Sequence, residues 1–306
     1  MSLYLILNGY LKKDEIVSLI DIILDTPPRQ LYRSLYKRIT KRERLIEFSD
    51  DKPCVFVMST GRVGSMTLAS LLERSDNLIA LHEPKPSLYP ISKAIYQQDT
   101  DINIWDQVFM SLRQSQFDNS LELGRGYVET SPQSTFLAPV IASAIPNVRF
   151  IHLVRNPADV IRSGMRRGWY DGHPADKNRI VPRADSDFYS RWLEMTSFQK
   201  NAWLWNETNR WILDFLISIP NDRQFTLYSE ELYSGDISSL QSLFEFCSSS
   251  LPRSNDINKL LSRNMNKQKV GEFPEPDKWQ ANELEQLEFL TGDTARSLGY
   301  NHSKKI

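Results

Sequence analysis

A short apolar segment that runs into a glycine-containing loop and then into a helix constrains the fold of this chain most. Residues 54–58 (CVFVM) form a continuous apolar run of strand length, and the loop 59–64 that follows contains two glycines. From Ser65 to Glu73, apolar residues recur at helical spacing. A strand that is apolar along its whole length is typical of a parallel sheet covered on both faces, so this unit predicts an α/β fold.

The same strand-then-helix pattern recurs along the chain. Strand-like segments at 78–81, 126–130 and 149–154 are each followed by a helical pattern, and a further strand-like run stands at 224–228. Alternating strands and helices predict a three-layer α/β/α fold with a mostly parallel central sheet. We expect helical additions at both ends of this unit, the second of them at 282–290.

Residues 1–52 are predicted to form a helical extension packed on a single globular domain that spans 53–306. Apolar residues between Ile16 and Leu24 fall on one helical face, and charged residues at 12–15 interrupt the apolar stretches. No span there approaches the roughly 20 apolar residues that a bilayer requires. We therefore expect no membrane-spanning segment.

The charge balance limits the partners of the chain. Its 37 Lys and Arg residues and 38 Asp and Glu residues give a net charge of −1, so no overall field attracts nucleic acid. The two cysteines, Cys54 and Cys247, are too far apart in sequence to indicate a disulfide framework or a metal site. They suit a reducing compartment, and we expect a cytoplasmic protein without a metal.

The loop Ser59–Thr67 has the composition of an anion-binding site. Gly61 and Gly64 allow backbone N–H groups to point into one concavity, and a helix N-terminus follows directly. Arg62 and two hydroxyl side chains add further donors. A kinase with a Walker A loop would need Lys before its Ser or Thr, and no Lys stands between residues 60 and 73. From this loop alone, an unliganded strand-to-helix turn stays an alternative.

A second polar motif follows the strand-like segment 149–154. Arg155 stands at the carboxyl end of this strand, which is the edge where open α/β sheets bind ligands. The Asn-Pro pair that follows suits the N-cap and first position of a helix, and Ser163 lies about two turns into it. One bound group could contact both Arg155 and Ser163, whereas an ion pair between Arg155 and Asp159 is the alternative.

Together the two motifs resemble those of the sulfotransferase superfamily, whose donor is 3′-phosphoadenosine-5′-phosphosulfate (PAPS). The segment RVGSMT at 62–67 is similar to the family's 5′-phosphosulfate loop, and LVRNP at 153–157 with Ser163 is similar to its 3′-phosphate motif. Further similar segments lie between about Pro53 and Tyr300, including KVGEF at 269–273. The motifs are most similar in style to those of bacterial and carbohydrate-acting members.

The resemblance implies a P-loop-like arrangement of the fold and a PAPS site built from three parts of the chain. The 5′ end of the donor would be lined by Arg62, Val63, Gly64, Ser65, Met66 and Thr67. Its 3′-phosphate would be held by Arg155 and Ser163. A loop would close over the nucleotide with Lys269, Val270 and Gly271. Glu129 stands where the family usually has Lys, so we expect no donor contact from Glu129.

Glu83 is the predicted catalytic base, with Arg62 as the second catalytic residue. Glu83 follows a strand-like segment in the sequence LHEP, and it resembles a Glu-Pro pair of carbohydrate-acting sulfotransferases. His82 is the rival, because cytosolic members use His as the base. Adjacent residues on a strand point to opposite faces, so we expect only one of the two side chains to face the donor.

The resemblance implies in-line transfer of a sulfuryl group from PAPS to a hydroxyl of a small-molecule or glycan acceptor. Two alternatives stay open: a P-loop-like small-molecule kinase, and a non-catalytic nucleotide-binding protein of the same fold. The segment 166–185 follows the Arg155 helix, and it is either a lid over the acceptor or an ordinary surface loop.

Overall fold

The computed structural model describes residues 47–97, 102–262 and 271–300 of the chain. Most of the predicted N-terminal extension, residues 1–46, lies outside the described residues, as do Lys269 and Val270. Across the three described ranges, no helix is long and apolar enough to cross a membrane.

Five parallel strands form the central sheet. They are β1 (Cys54–Met58), β2 (Leu78–His82), β3 (Gly126–Thr130), β4 (Arg149–Val154) and β5 (Gln224–Tyr228). Their order across the sheet is β2-β3-β1-β4-β5, and every neighbouring pair is parallel. The strand-like segments of the sequence are therefore confirmed, and the sheet is wholly rather than mostly parallel.

Helices cover both faces of the sheet. In the described part of the chain they are α1 (Ser65–Leu72), α2 (Tyr89–Gln97), α3 (Ile102–Glu122), α4 (Ala138–Ala144), α5 (Pro157–Met165), α6 (Ser197–Leu216), α7 (Ser229–Ser234), α8 (Ile237–Phe246), α9 (Ser254–Leu261) and α10 (Ala281–Ser297). The helical pattern at 282–290 is confirmed, and α10 continues it by almost two further turns.

Alternate residues of β1 face opposite layers of helices. Phe56 and Met58 belong to an apolar core that includes side chains of α3 and α4. Val55 and Val57 belong to a second core with side chains of α1, α8 and α10. The apolar run of β1 is continuous because both of its faces are buried, and the three-layer α/β/α prediction is confirmed.

The order of the strands places a crevice at the carboxyl ends of β1 and β4. The chain leaves β1 toward β2 on one side of the sheet, and it leaves β4 toward β5 on the other. Connections that diverge from neighbouring parallel strands leave room for a ligand between them. The two polar motifs of the sequence follow these two strands, so the topology brings them to one place.

Helix α6 fixes the start of α5 behind this crevice. The side chain of Asn156 caps the first turn of α5, and Trp205 of α6 donates from Nε1 to the carbonyl oxygen of Arg155 over 3.0 Å. Farther along α5, a Cβ at Gly164 would lie 2.0 Å from Oδ1 of Asn201. The two helices approach this closely because residue 164 is glycine.

Candidate active site

A cleft of about 560 Å³ opens at the carboxyl ends of β1, β2 and β4. One wall is the loop 59–67, and the opposite wall comes from the segment 167–180 that follows α5. The predicted site residues that line the cleft are Arg62, Gly64, Ser65, Met66, Thr67, Glu83 and Arg155, together with the rival base His82. Val63 and Ser163 do not line it, although both contact groups at its edge.

The loop after β1 turns through three left-handed residues. The φ angles are +81° at Gly61, +63° at Arg62 and +94° at Gly64. Gly64 is also the N-cap of α1. Consecutive turns of this kind form a concave backbone with N–H groups available to an anion, and the N-terminus of α1 adds partial positive charge.

Hydroxyl groups from neighbouring elements hold this loop in place. The N–H of Ser59 donates to Oγ1 of Thr135, and that hydroxyl donates to the carbonyl oxygen of Ser59, each over 3.0 Å. Thr130 donates from Oγ1 to the carbonyl oxygen of Ser65 over 2.9 Å. The hydroxyl of Ser229 donates to the carbonyl oxygen of Val63. Because these hydrogen bonds from other parts of the protein engage carbonyl oxygens of the loop, the loop is organised before a ligand binds.

Arg62 joins the two polar motifs. Its Nε atom donates to Oγ of Ser163 on α5 over 3.0 Å. The pKa of Arg62 is lowered to about 10, mainly by burial and also by the positive charge of nearby Arg167, while Tyr233 and Glu83 act in the opposite direction. The guanidinium is therefore charged at neutral pH but poorly compensated by the protein, as expected of a group that awaits an anion.

Arg155 connects the same motifs from β4. Its Nη1 atom donates to the carbonyl oxygen of Arg62 over 3.3 Å, and its guanidinium forms an ion pair with Asp159 at 3.1 Å. The ion pair that the sequence left as an alternative is present, and it coexists with the contact to the loop. The side chain of Arg155 is still 30% exposed, so a ligand can reach it.

His82 and Glu83 both line the cleft. Strand β2 ends at His82, and Glu83 has a φ of +46°, which is uncommon for a residue other than glycine. The alternation of a strand stops at this turn, so both residues reach this edge, and the expectation that only one of the two side chains faces the donor stays a prediction.

Neighbouring side chains give His82 and Glu83 different surroundings. Nδ1 of His82 lies 2.6 Å from the carbonyl oxygen of Thr130, and a carbonyl oxygen only accepts, so Nδ1 carries a proton. Glu83 is exposed at the cleft. Burial and the nearby Glu83 carboxylate raise the pKa of Tyr89, so this phenol stays protonated next to Glu83.

Glu129 takes no part in lining the cleft. It is fully buried on β3, where Arg113 of α3 donates to its two oxygens over 2.7 and 3.0 Å and the hydroxyl of Tyr127 donates to it over 2.8 Å. Arg113 also donates from Nη1 to the carbonyl oxygen of Pro86 over 2.9 Å. This ion pair therefore ties the segment that follows Glu83 to the centre of the sheet.

Sequence reasoning missed several side chains of the cleft. Tyr89 and Lys93 lie on α2, Tyr233 lies on α7, and Trp169 and Arg179 lie in the segment after α5. Only the last two had a signal, because the segment 166–185 was a candidate lid. A spacing pattern does not detect Tyr89 or Tyr233, since each reaches the cleft from a helix with an ordinary amphipathic sequence.

Gly271 lies against α5 rather than in the cleft. A Cβ at this position would lie 1.9 Å from the carbonyl oxygen of Arg166, and Nε of Arg166 donates to the carbonyl oxygen of Gly271 over 3.1 Å. The preceding residues Lys269 and Val270 are outside the described ranges. The nucleotide contact of all three residues stays a prediction.

Comparison with known proteins gives a family match over well over half of the chain. Residues 53–253 match the model of a family described as the sulfotransferase family. No curated protein sequence matches the chain. The family match begins one residue before β1 and includes the loop after β1, both candidate bases and both arginine motifs.

Solved structures with a similar fold are also sulfotransferases. Sulfotransferase STF9 from Mycobacterium avium superimposes with a TM-score of 0.55 at 12% identity, covering 95% of this chain and 87% of that one. A sulfotransferase domain from the curacin biosynthetic pathway has a TM-score of 0.50 at 18% identity, covering 82% of this chain and 98% of that one. At these identities the comparison shows a shared fold.

Proposed function

Because this chain belongs to the sulfotransferase family, we propose that it transfers a sulfuryl group from PAPS to an acceptor hydroxyl. The observation that carries the proposal is the 3.0 Å hydrogen bond from Nε of Arg62 to Oγ of Ser163. This bond joins the motif after β1 to the motif after β4. A donor with phosphate groups at both its 5′ and 3′ positions needs two such anion sites at one edge of the sheet.

The loop after β1 would hold the 5′-phosphosulfate. Its left-handed turns and the N-terminus of α1 offer backbone N–H groups, and the hydroxyls of Ser65 and Thr67 add donors. A Cβ at Gly64 would lie 2.9 Å from the hydroxyl of Tyr233. The loop thus depends on a residue without a side chain at position 64. The accessible backbone there suits close approach of a tetrahedral anion.

Arg155 and Ser163 would hold the 3′-phosphate. Arg155 is anchored by Trp205 and Asp159, and Ser163 is already hydrogen-bonded to Arg62. We include Lys269, Val270 and Gly271 in the proposal as the loop that closes over the nucleotide. The 3′-phosphate is the group that distinguishes PAPS from ATP.

Glu83 is the proposed base of the reaction. The acceptor oxygen forms a bond to sulfur, the bond from sulfur to the bridging oxygen of the 5′-phosphate breaks, and the acceptor proton passes to the Glu83 carboxylate. Tyr89 lies next to Glu83 with its hydroxyl protonated and would orient the carboxylate. The departing phosphate gains negative charge, which Arg62 and the loop N–H groups stabilise.

Ligand preference tests the donor assignment. We expect 3′-phosphoadenosine-5′-phosphate, the product nucleotide, to raise the melting temperature of the protein more than ATP does at equal concentration. Arg155→Gln should reduce this difference, whereas Arg210→Gln, which removes an exposed ion pair with Glu207, should leave it unchanged. Equal stabilisation by ATP would instead favour the kinase alternative.

Transfer of labelled sulfate from PAPS to a panel of hydroxylated compounds tests the catalytic part of the proposal. We expect at least one acceptor to be labelled. Tight binding of the product nucleotide with no transfer to any acceptor would favour the non-catalytic alternative.

A further inference from the structure

The cleft carries more positive charge than its proposed donor site uses. Among the described residues that line it, the cationic side chains are Arg62, Lys93, Arg155, Arg167 and Arg179, and the only carboxylate is Glu83. The proposed PAPS site uses Arg62 and Arg155. The remaining cations lie on the wall opposite the loop, where the acceptor has to bind.

Arg179 is the best-defined of these cations. Its guanidinium stacks on the ring of Trp169, with the central carbon 3.8 Å from the ring centroid, and only 13% of its side chain is exposed. Its Nε atom donates to Oδ1 of Asp176 over 2.9 Å. Within the described ranges, neither terminal nitrogen of Arg179 has a hydrogen-bond partner, and this planar pair of donors suits a carboxylate, sulfate or phosphate group.

Arg179 lines the same cleft as the proposed base, Glu83. Arg179 lowers the pKa of Tyr89, and Glu83 raises the pKa of the same phenol, so both charged groups act on one hydroxyl. The ring of Trp169 also lies 3.6 Å from the position of a Cβ on Gly61. Trp169 therefore lies next to both the guanidinium of Arg179 and the phosphosulfate loop.

Lys93 adds a second charge to the same wall. It lies on α2, and its Nζ atom donates to the carbonyl oxygen of Lys177 over 2.7 Å. This bond connects α2 to the turn Pro174–Asn178, which directly precedes Arg179. Burial lowers the pKa of Lys93 because it disfavours the charged form of the side chain. A bound anion would stabilise that charged form, so anion binding would be favoured.

We propose that the acceptor is itself an anion: a hydroxylated compound with a carboxylate, sulfate or phosphate group, which Arg179 and Lys93 bind while its hydroxyl reaches Glu83. This inference rests on the proposed function, because that function assigns Arg62 and Arg155 to the donor. It also gives the segment 166–185 the role of an acceptor-binding wall.

Matched pairs of compounds test the proposal by direct binding. Calorimetry on protein saturated with 3′-phosphoadenosine-5′-phosphate would compare 4-hydroxybenzoate with 4-hydroxybenzamide, and methyl β-glucuronide with methyl β-glucoside. Each pair shares its hydroxyl groups and differs in one carboxylate. We expect the anionic member of at least one pair to bind about tenfold more tightly than its neutral partner.

Charge-removing variants locate the anion site. Arg179→Gln should abolish most of the anionic preference while leaving affinity for the product nucleotide unchanged. Arg183→Gln is the matched control, since it removes one charge from an exposed ion pair with Asp185 only four residues away, and it should keep the preference. Should Arg179→Gln fail to fold, Lys93→Gln carries the same expectation.

The inference is overturned if neutral and anionic members bind equally, if no anionic member binds the nucleotide-loaded protein, or if the preference persists in Arg179→Gln and Lys93→Gln. Failure of this inference can be distinguished from failure of the proposed function. If the proposed function is wrong, the protein will not prefer the 3′-phosphorylated nucleotide over ATP, and this preference is measured on the same protein without any acceptor.

Discussion

Two adjacent residues at the end of β2, His82 and Glu83, are the candidates for the catalytic base. His82 has its Nδ1 proton engaged by the carbonyl oxygen of Thr130, which leaves Nε2 as its only basic atom. Glu83 stands in a left-handed turn, lines the cleft and lies next to the protonated hydroxyl of Tyr89. Under the proposed function, we expect Glu83 to act as the base and His82 to fix the end of β2 against β3.

Replacing each side chain separately tests the assignment. We expect Glu83→Gln to lower the single-turnover rate of sulfuryl transfer by about 10²- to 10⁴-fold, because proton removal is lost while shape is kept. Affinity for the product nucleotide should stay the same. His82→Gln should retain most of the rate.

Glu73→Gln serves as the control, because Glu73 is an exposed carboxylate at the end of α1, outside the cleft. The opposite pattern, in which His82→Gln abolishes transfer and Glu83→Gln does not, would move the base to His82.

At the scale of an element, the loop between β1 and α1 is the part of the site that the chain holds most tightly. Its carbonyl oxygens accept hydrogen bonds from hydroxyls of three separate segments. A Cβ on Gly64 would lie 2.9 Å from the hydroxyl of Tyr233 of α7, so Tyr233 would have to shift to admit a methyl group. The loop is therefore a preformed cradle rather than a flexible flap.

Gly64→Ala should damage this cradle in two ways. A left-handed Ala costs about 1–2 kcal/mol, and its Cβ would lie 2.9 Å from the hydroxyl of Tyr233. We expect affinity for the product nucleotide, measured by calorimetry, to fall by about tenfold or more, since 1.4 kcal/mol corresponds to one factor of ten.

Gly299→Ala is the matched control for backbone strain. Gly299 has a φ of +78°, and a Cβ there would have nothing within 4 Å. If the two variants bind the nucleotide equally well, the cradle does not depend on close packing at Gly64.

The elements also show what the sequence could predict. The strands were predictable because burial on both faces leaves an unbroken apolar run, as in β1, and that signal is local. The two arginine motifs were predictable for the same reason, since each follows a strand directly.

The turn at Glu83 was not predictable, because strand alternation gives no sign of where a strand stops. The stacking of Arg179 on Trp169 depends on the path of a surface segment, which no periodicity records.

For the whole molecule, a buried histidine couples folding to pH. His152 of β4 is fully buried, and its Nε2 atom lies 2.8 Å from Oδ1 of Asn209. Burial lowers the pKa of His152 from 6.5 to about 4. Between these values the unfolded chain binds a proton that the folded protein excludes, so stability is fully present above pH 6.5 and falls as the pH falls toward 4.

We expect this residue alone to remove roughly 3 kcal/mol from the free energy of unfolding over that window, at about 1.4 kcal/mol per pKa unit. Urea denaturation at several pH values between 4 and 7 measures the change. His152→Gln should be less stable at neutral pH but should lose less stability on acidification.

His173→Gln is the comparison, because His173 lies in the segment after α5 and is partly exposed. The stability of His173→Gln should fall with pH as much as that of the unchanged protein. If the stability of His152→Gln also falls by that amount, groups other than His152 cause the acid dependence.

The ion pair between Arg113 and Glu129 limits which substitutions the protein tolerates. Replacing either partner alone would leave an unpaired charge buried in the core, so the two positions can change only together. Arg113 also holds the carbonyl oxygen of Pro86, so such a double change would disturb the backbone that carries Glu83. Any change to this pair is therefore also a change to the side of the cleft that carries Glu83.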